Sequence, residues 1–244
     1  FAPSYTDLHC DTAYELYKQK AALLKNNLHI SLDKADCFNN YTQIMAFWSD
    51  CALSDEDAYK AFFKMRENLL SEINTNADKA ALCFDYRDIK NALTQKKAAF
   101  ILSVEDARIL GGDLSRLEIL YSCGIRFLTL QWKGKSCIGG GYDTDLPLSA
   151  FGQEVVKGCF ELGIIPDISH ACEKTADDIL DIAEKYGKAV IATHSDSFKV
   201  CPHPRNLSDL TFRKISECGG LIGISLCPAH LSPDEKADGE SVAK

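Results

Sequence analysis

Short apolar runs alternate along this chain with longer stretches whose apolar positions recur at helical spacing. The runs predict strands over 6–10, 43–48, 98–104, 126–131, 164–168, 189–193 and 221–226. Runs this brief, bounded by glycine, polar or charged residues, fit buried strands better than helices. The stretches between them predict helices over 11–25, 114–123, 150–162, 174–186 and 207–218. A further long helix opens at Ser54, where Ser54-x-x-Asp57 resembles a capping box, and carries Tyr59, Phe62, Phe63, Leu69 and Leu70 on or near one face. Gly124, Gly163, Gly187 and the Gly219-Gly220 pair follow helix ends, where a left-handed residue closes the last turn.

Alternation of strand and helix predicts an α/β chain with a parallel sheet, and at this repeat length a (β/α)8 TIM barrel. With 244 residues the chain is long enough for one such domain, expected over 1–244. An eighth strand has no counterpart: after Cys227 the chain reads PAHLSPDEKADGESVAK, which is polar. The last strand and helix are therefore expected to lie beyond Lys244. An open sheet edge would lower stability, or would close against another chain as a homodimer.

Apolar residues make up 46% and charged residues 25%, and the net charge is −8. No run of lysine or arginine stands out, so neither nucleic acid nor an anionic membrane is an expected partner. No apolar run approaches the roughly 18 residues of a membrane span, and no signal-peptide core opens the chain. The first residue is Phe1, so the native beginning is expected to be absent or processed. The 11 cysteines include no C-x-x-C pair, which weakens thiolate-zinc and dithiol redox readings. Most of them read as small buried apolar side chains in a reducing compartment, so a cytoplasmic location is expected.

The candidate chemistry lies at strand ends. His9 and Asp11 stand in YTDLHCDT, Glu105 in AAFILSVEDA, His170 in IIPDISHA and His194 in AVIATHSDS. In a barrel, the C-terminal strand ends converge on the catalytic face. The spacing of His9 and Asp11 puts both on one face of a strand. Glu105 follows so apolar a run that its carboxylate needs a partner, either a cation from a neighbouring side chain or a metal. His170 and His194 end successive strands, about 4.8 Å apart, so two imidazoles can share an ion. Nitrogen and carboxylate donors suit zinc better than calcium or magnesium. His29, His203 and His230 are read as non-ligands.

These stretches resemble the membrane dipeptidase (renal dipeptidase, M19) family of amidohydrolase-like metal-dependent hydrolases. The resemblance rests on DLHCDT, SVEDA, FLTLQW, LSAFGQEVVKGCFELGIIPDISHA, ATHSDSFKVCPHPRNLSD and GLIGISLCPAHL. It implies a barrel of the metal-dependent hydrolase type and a zinc-dependent dipeptidase. His9 and Asp11 would bind one zinc, His170 and His194 a second, and Glu105, the catalytic carboxylate, would bridge them. A hydroxide held between the metals would attack the peptide carbonyl of a dipeptide. Arg205, in HPRN, would take the substrate's free carboxylate; an ordinary surface ion pair is its alternative.

Three departures are visible. No G-S-D-F-D-G-like segment occurs, so the family's proton-handling aspartate is expected outside this chain, leaving these residues catalytically poor alone. Trp132 stands where some members carry a substrate-contacting histidine. Leu226 and Cys227 precede Pro228 where an N-F-Y-P-like segment supplies a tyrosine. Two other readings stay open: another amidohydrolase-type reaction on a cyclic amide, lactone or aminated base, and a non-catalytic metal-binding relative.

Overall fold

The computed structural model describes residues 2–243, and the chain divides into two compact units. Unit 1 holds Phe1–Glu105 with Ser122–Arg126; unit 2 holds Asp106–Tyr121 with Phe127–Lys244.

Unit 1 runs β1 (Ser4–Cys10), α1 (Thr12–Gln19), α2 (Leu32–Ala35), β2 (Asn40–Phe47), α3 (Asp55–Thr75), β3 (Ala80–Leu82), α4 (Tyr86–Thr94) and β4 (Ala98–Glu105). β1 pairs in parallel with β2, β2 with β4, and β3 with β4. Every residue of β4 is buried, as a parallel strand covered on both faces requires. The Ser54 hydroxyl caps α3 by accepting from Asp57 N at 3.1 Å, and the helix buries Phe62, Met65, Leu69 and Ile73. Tyr59 and Phe63 stand beside that stripe rather than in it.

Unit 1 departs from expectation at α1 and in the unexpected α2, β3 and α4. α1 ends at Gln19 rather than 25, because Lys20 turns left-handed at φ 52° and its N–H closes onto Leu16 O. β3 and α4 were not legible: β3 has only three residues, and α4 buries only Ala92.

Unit 2 opens with a 3-10 turn, Ala107–Leu110, and holds α5 (Ser115–Ser122) up to Tyr121, β5 (Ile125–Thr129) from Phe127 on, α6 (Ala150–Leu162), β6 (Ile165–Asp167), α7 (Glu173–Tyr186), α8 (Asp209–Glu217), α9 (Pro228–Leu231) and α10 (Gly239–Ala243). β5 pairs in parallel with β6 through Phe127, Leu128 and Thr129.

The strands expected over 189–193 and 221–226 are reduced to isolated parallel bridges, Asp167 with Ile191 and Ala192 with Ile222. Ile191 N donates to Pro166 O at 3.1 Å and Gly223 N to Ala192 O at 2.8 Å, so pairing starts. The regular ladder is then broken, although Ser195 N still reaches Gly223 O at 2.9 Å, because side chains capture other backbone donors. Thr193 N goes to Asp167 Oδ1, His194 N to Ser169 Oγ and Ser225 N to Asp196 Oδ1. Such local acceptors compete directly with a sheet ladder. Leu221, Ile224 and Leu226 are 65%, 50% and 63% exposed.

α6 depends on a close approach. Ser149 caps it, accepting from Gly152 N at 2.9 Å, while Ser149 N donates to Ile138 O at 2.8 Å. A Cβ on Gly152 would stand 2.2 Å from that same Ile138 oxygen and 2.7 Å from Leu148 Cδ1. Gly152→Ala should therefore destabilise the protein despite alanine's higher helix propensity, by about 1–3 kcal/mol for an overpacked site. Denaturant unfolding measures it; a variant as stable as the parent would mean that α6 does not need this approach.

Candidate metal centre

In unit 1, the strand pairing itself aims the histidine. Two residues of β1, Leu8 and His9, lie between Asp7 and Cys10 while one of β2, Ile44, lies between their partners Gln43 and Met45, so the register shifts by one residue at Leu8–His9. A bulge of this kind re-aims side chains at a strand end. Asp7 Oδ1 accepts from His9 N at 3.0 Å within it. His9 Nε2 then lies 3.6 Å from Asp11 Oδ1 and 3.7 Å from Glu105 Oε2. Asp11 sits at the N-cap of α1, yet its carboxylate caps nothing. Glu105 ends β4 at 3% exposure. The next residue, Asp106, holds φ at +79°, a strained value for a residue with a side chain. Arg108 steadies it, with Nε 3.2 Å from Asp106 Oδ2.

In unit 2, His170 Nε2 and His194 Nε2 stand 2.9 Å apart. His170 also has positive φ, +71°. Trp132 and Tyr142 each place a ring centroid 6.0 Å from that of His170. Behind His194 lies a carboxylate that the sequence reading passed over. Asp167 is fully buried. Its Oδ2 accepts from the hydroxyls of Thr129 and Thr193, each at 2.6 Å, and its Oδ1 from Ser169 N at 2.9 Å and Thr193 N at 3.0 Å. Burial acts to raise its pKa, but the nearby His194 imidazole and these donors hold the carboxyl below its ordinary value. Asp167 carries the same signal as Glu105: a charge inside an apolar run must have partners.

Arg205 is 5% exposed, which separates it from a surface ion pair. Its Nη2 donates to His194 O at 3.2 Å, and its guanidinium carbon lies 5.9 Å from the Tyr142 ring centroid. Asp196, 6% exposed, accepts from Ser225 N, and burial outweighs that bond and the Arg205 charge, raising its pKa to about 6. The rings of His203 and His230 lie 4.7 Å apart, and His230 Nδ1 is 2.8 Å from Ser225 Oγ.

The structure thus gathers the five expected ligands as two donor groups: His9, Asp11 and Glu105 in unit 1, and His170 with His194 in unit 2. In unit 2 the two imidazole nitrogens at 2.9 Å converge either on a shared proton or on one cation, and in unit 1 the imidazole of His9 has two carboxylates beside it. That set fits a metal ion of zinc's type.

Residues 3–244 match the membrane dipeptidase family, peptidase family M19, and the chain belongs to it. Membership implies a metal cofactor. An uncharacterized protein in the PQQ-III 3′ region of Acinetobacter calcoaceticus is 29% identical over 168 residues, 66% of this chain and 52% of that protein. The dipeptidase tcpJ of Claviceps purpurea (strain 20.1) is 28% identical over 212 residues, 80% of this chain and 49% of that protein. The chain thus spans about half the length of these relatives. A metallopeptidase of Rhodobacter sphaeroides, solved with a phosphinate mimic of the dipeptide L-Ala-D-Ala, superposes with a TM-score of 0.91 at 22% identity, over 100% of this chain and 80% of that one. The fold is the parallel α/β fold of the barrel-type M19 structures.

One pH effect follows from His230. Burial, then the charges of Arg205, His203 and His170, lower its pKa to about 4, against 6.5 for an ordinary histidine. Between those values the unfolded chain takes up a proton that the folded chain refuses, so stability falls as pH drops from about 6.5 toward 4. Asp196 acts oppositely over part of that range, in parent and variant alike. His230→Gln should flatten the acid side of a plot of Tm against pH; parallel curves for parent and variant would contradict the assignment.

Proposed function

We propose that the protein is a zinc-dependent dipeptidase that hydrolyses the peptide bond of dipeptides. In this reading it holds two zinc ions, His9 and Asp11 at one, His170 and His194 at the other, with Glu105 bridging. The observation that carries it is the pair of imidazole Nε2 atoms 2.9 Å apart, one belonging to a histidine whose other nitrogen is already engaged by Thr193. Family membership supports peptide hydrolysis, and the ligand of the Rhodobacter structure supports a substrate of dipeptide size.

When bound, the metals supply a Lewis acid for the carbonyl oxygen and lower the pKa of water. The chain's own residues supply position. Arg205 takes the dipeptide's C-terminal carboxylate, since a planar guanidinium matches a carboxylate bidentately. A carboxylate fixed there places the scissile bond a set distance away, which disfavours longer peptides. Only Cys83, Cys159, Cys172 and Cys201 are buried, so the expectation of buried thiols holds for a minority of the cysteines; a cytoplasmic location remains part of this reading.

The direct test is a panel of dipeptides offered to the full-length natural protein before and after chelation. Hydrolysis lost with chelator and restored by zinc is expected. A folded, zinc-loaded protein that cleaves no dipeptide but opens a cyclic amide or lactone would replace this reading.

Two variants test particular roles. Glu105→Gln should bind less zinc than the parent when both are dialysed against the same buffered metal, because one bridging oxygen is lost; equal stoichiometry would count against bridging. Arg205→Lys should lower kcat/KM for dipeptides by about 1.5–3 kcal/mol, the worth of a charge-assisted contact, with metal content unchanged. If the parent's preference for a dipeptide over its C-terminal amide survives in Arg205→Lys, Arg205 does not read the carboxylate.

A further inference from the structure

We propose that Asp167, acting through the Thr193 hydroxyl, is a positioning residue that fixes the tautomer of His194 and so presents its Nε2 as a bare lone pair. The proposal rests on the metal reading only for what that lone pair meets. The tautomer is a property of the chain itself.

The hydrogens can be placed one by one. Thr193 Oγ1 has a single hydrogen and three neighbours: Asp167 Oδ2 at 2.6 Å, His194 Nδ1 at 2.8 Å and Ser169 Oγ at 3.3 Å. An ionised carboxylate can only accept, and the contact of 2.6 Å is the short, charge-assisted one, so the hydroxyl hydrogen goes to Asp167. Thr193 Oγ1 then turns a lone pair to His194 Nδ1, which must carry the hydrogen of the neutral ring. Nε2 is left bare, 2.9 Å from His170 Nε2. Ser169 completes the circuit: its Oγ accepts from His194 N at 3.1 Å, leaving its own hydrogen for Thr193 Oγ1. The groups behind the ring are buried: Asp167 and Ser169 at 0%, Thr129 at 2% and Thr193 at 3%.

The two oxygens of Asp167 are not equivalent, and the difference makes the proposal sharp. Oδ1 faces two backbone N–H groups, from Ser169 and Thr193, which can only donate. Oδ2 faces two hydroxyls, from Thr129 and Thr193, which can rotate. In Asp167→Asn the amide oxygen must therefore take the Oδ1 place and the amide nitrogen the Oδ2 place. The nitrogen then donates to Thr193 Oγ1. The threonine hydroxyl, its acceptor gone, turns its hydrogen to His194 Nδ1. That nitrogen becomes the acceptor, and the ring hydrogen moves to Nε2. One substitution of similar shape inverts the tautomer of a residue that it does not touch.

The experiment is NMR of the metal-free chain with isotope-labelled histidine, the His194 signals being identified by their loss in His194→Gln. The parent should show Nδ1 protonated and Nε2 bare. Asp167→Asn should show the reverse, and Thr193→Ser, which keeps the hydroxyl, should match the parent. Zinc affinity, measured by competition with a chromophoric chelator, should fall about 10–100-fold in Asp167→Asn, the usual cost of losing a partner behind a metal-binding histidine, and should recover in Thr193→Ser. If Asp167→Asn fails to fold, Thr193→Val carries the test: Nδ1 loses its acceptor, and the Nδ1–H form should cease to dominate. Retention of Nδ1–H in whichever of these two folds overturns the proposal. The parent tautomer with its inversion in Asp167→Asn, but with no zinc bound by the parent, would sustain the positioning role and reject the metal reading instead.

Discussion

The buried charge of Asp167 organises unit 2. An isolated carboxylate with no exposure would cost several kcal/mol, so the chain must bring donors to it. Four arrive, from the end of β5, the turn after β6 and the 189–193 segment. Meeting that demand explains two features at once. Thr193 N leaves the sheet ladder, so an apolar run with every mark of a strand survives only as isolated bridges. The same Thr193 places its hydroxyl oxygen 2.8 Å from His194 Nδ1, so one side chain serves both the buried charge and the histidine ring.

Unit 1 reaches its donor group by a different route. β4 runs apolar and fully buried to its last residue, which is Glu105. Only the end of such a strand can hold a carboxylate beside other polar atoms, and the bulge in β1 brings His9 Nε2 to 3.7 Å from it. The backbone is strained beside both groups, at Asp106 with φ +79° and at His170 with φ +71°. Strain at such positions persists only where the surroundings over-determine it, and it concentrates where side chains must be aimed. Arg108 on Asp106, and the rings of Trp132 and Tyr142 beside His170, are those surroundings here.

Much of this was legible in the sequence because the governing signals are local. The run AAFILSVE declares a buried strand, and Gly163 closes a helix that matches its expected bounds at both ends. The five ligand-type residues were visible as polar groups at the ends of apolar runs. What stayed hidden depends on tertiary partners. β3 is too short to carry a pattern, and the truncation of α1 turns on one left-handed lysine, Lys20. The loss of regular pairing over 189–193 and 221–226 could not be read from residues whose propensity is wholly that of a strand; side chains of Asp167, Ser169 and Asp196 decide it. Asp167 itself could have been found, since it sits in IIPDISHA as Glu105 sits in AAFILSVEDA. Tyr142, in a glycine-rich loop, gave no such warning.

The central claim is that these two donor groups bind metal. Anomalous diffraction at the zinc edge, from crystals of this chain grown with zinc, tests it most directly. The account expects one anomalous peak within bonding distance of Nε2 of both His170 and His194, and another at His9 and Asp11, each with Glu105 as a ligand. Crystals that hold zinc only at surface residues, with the two imidazole nitrogens still 2.9 Å apart and no peak beside them, would contradict it.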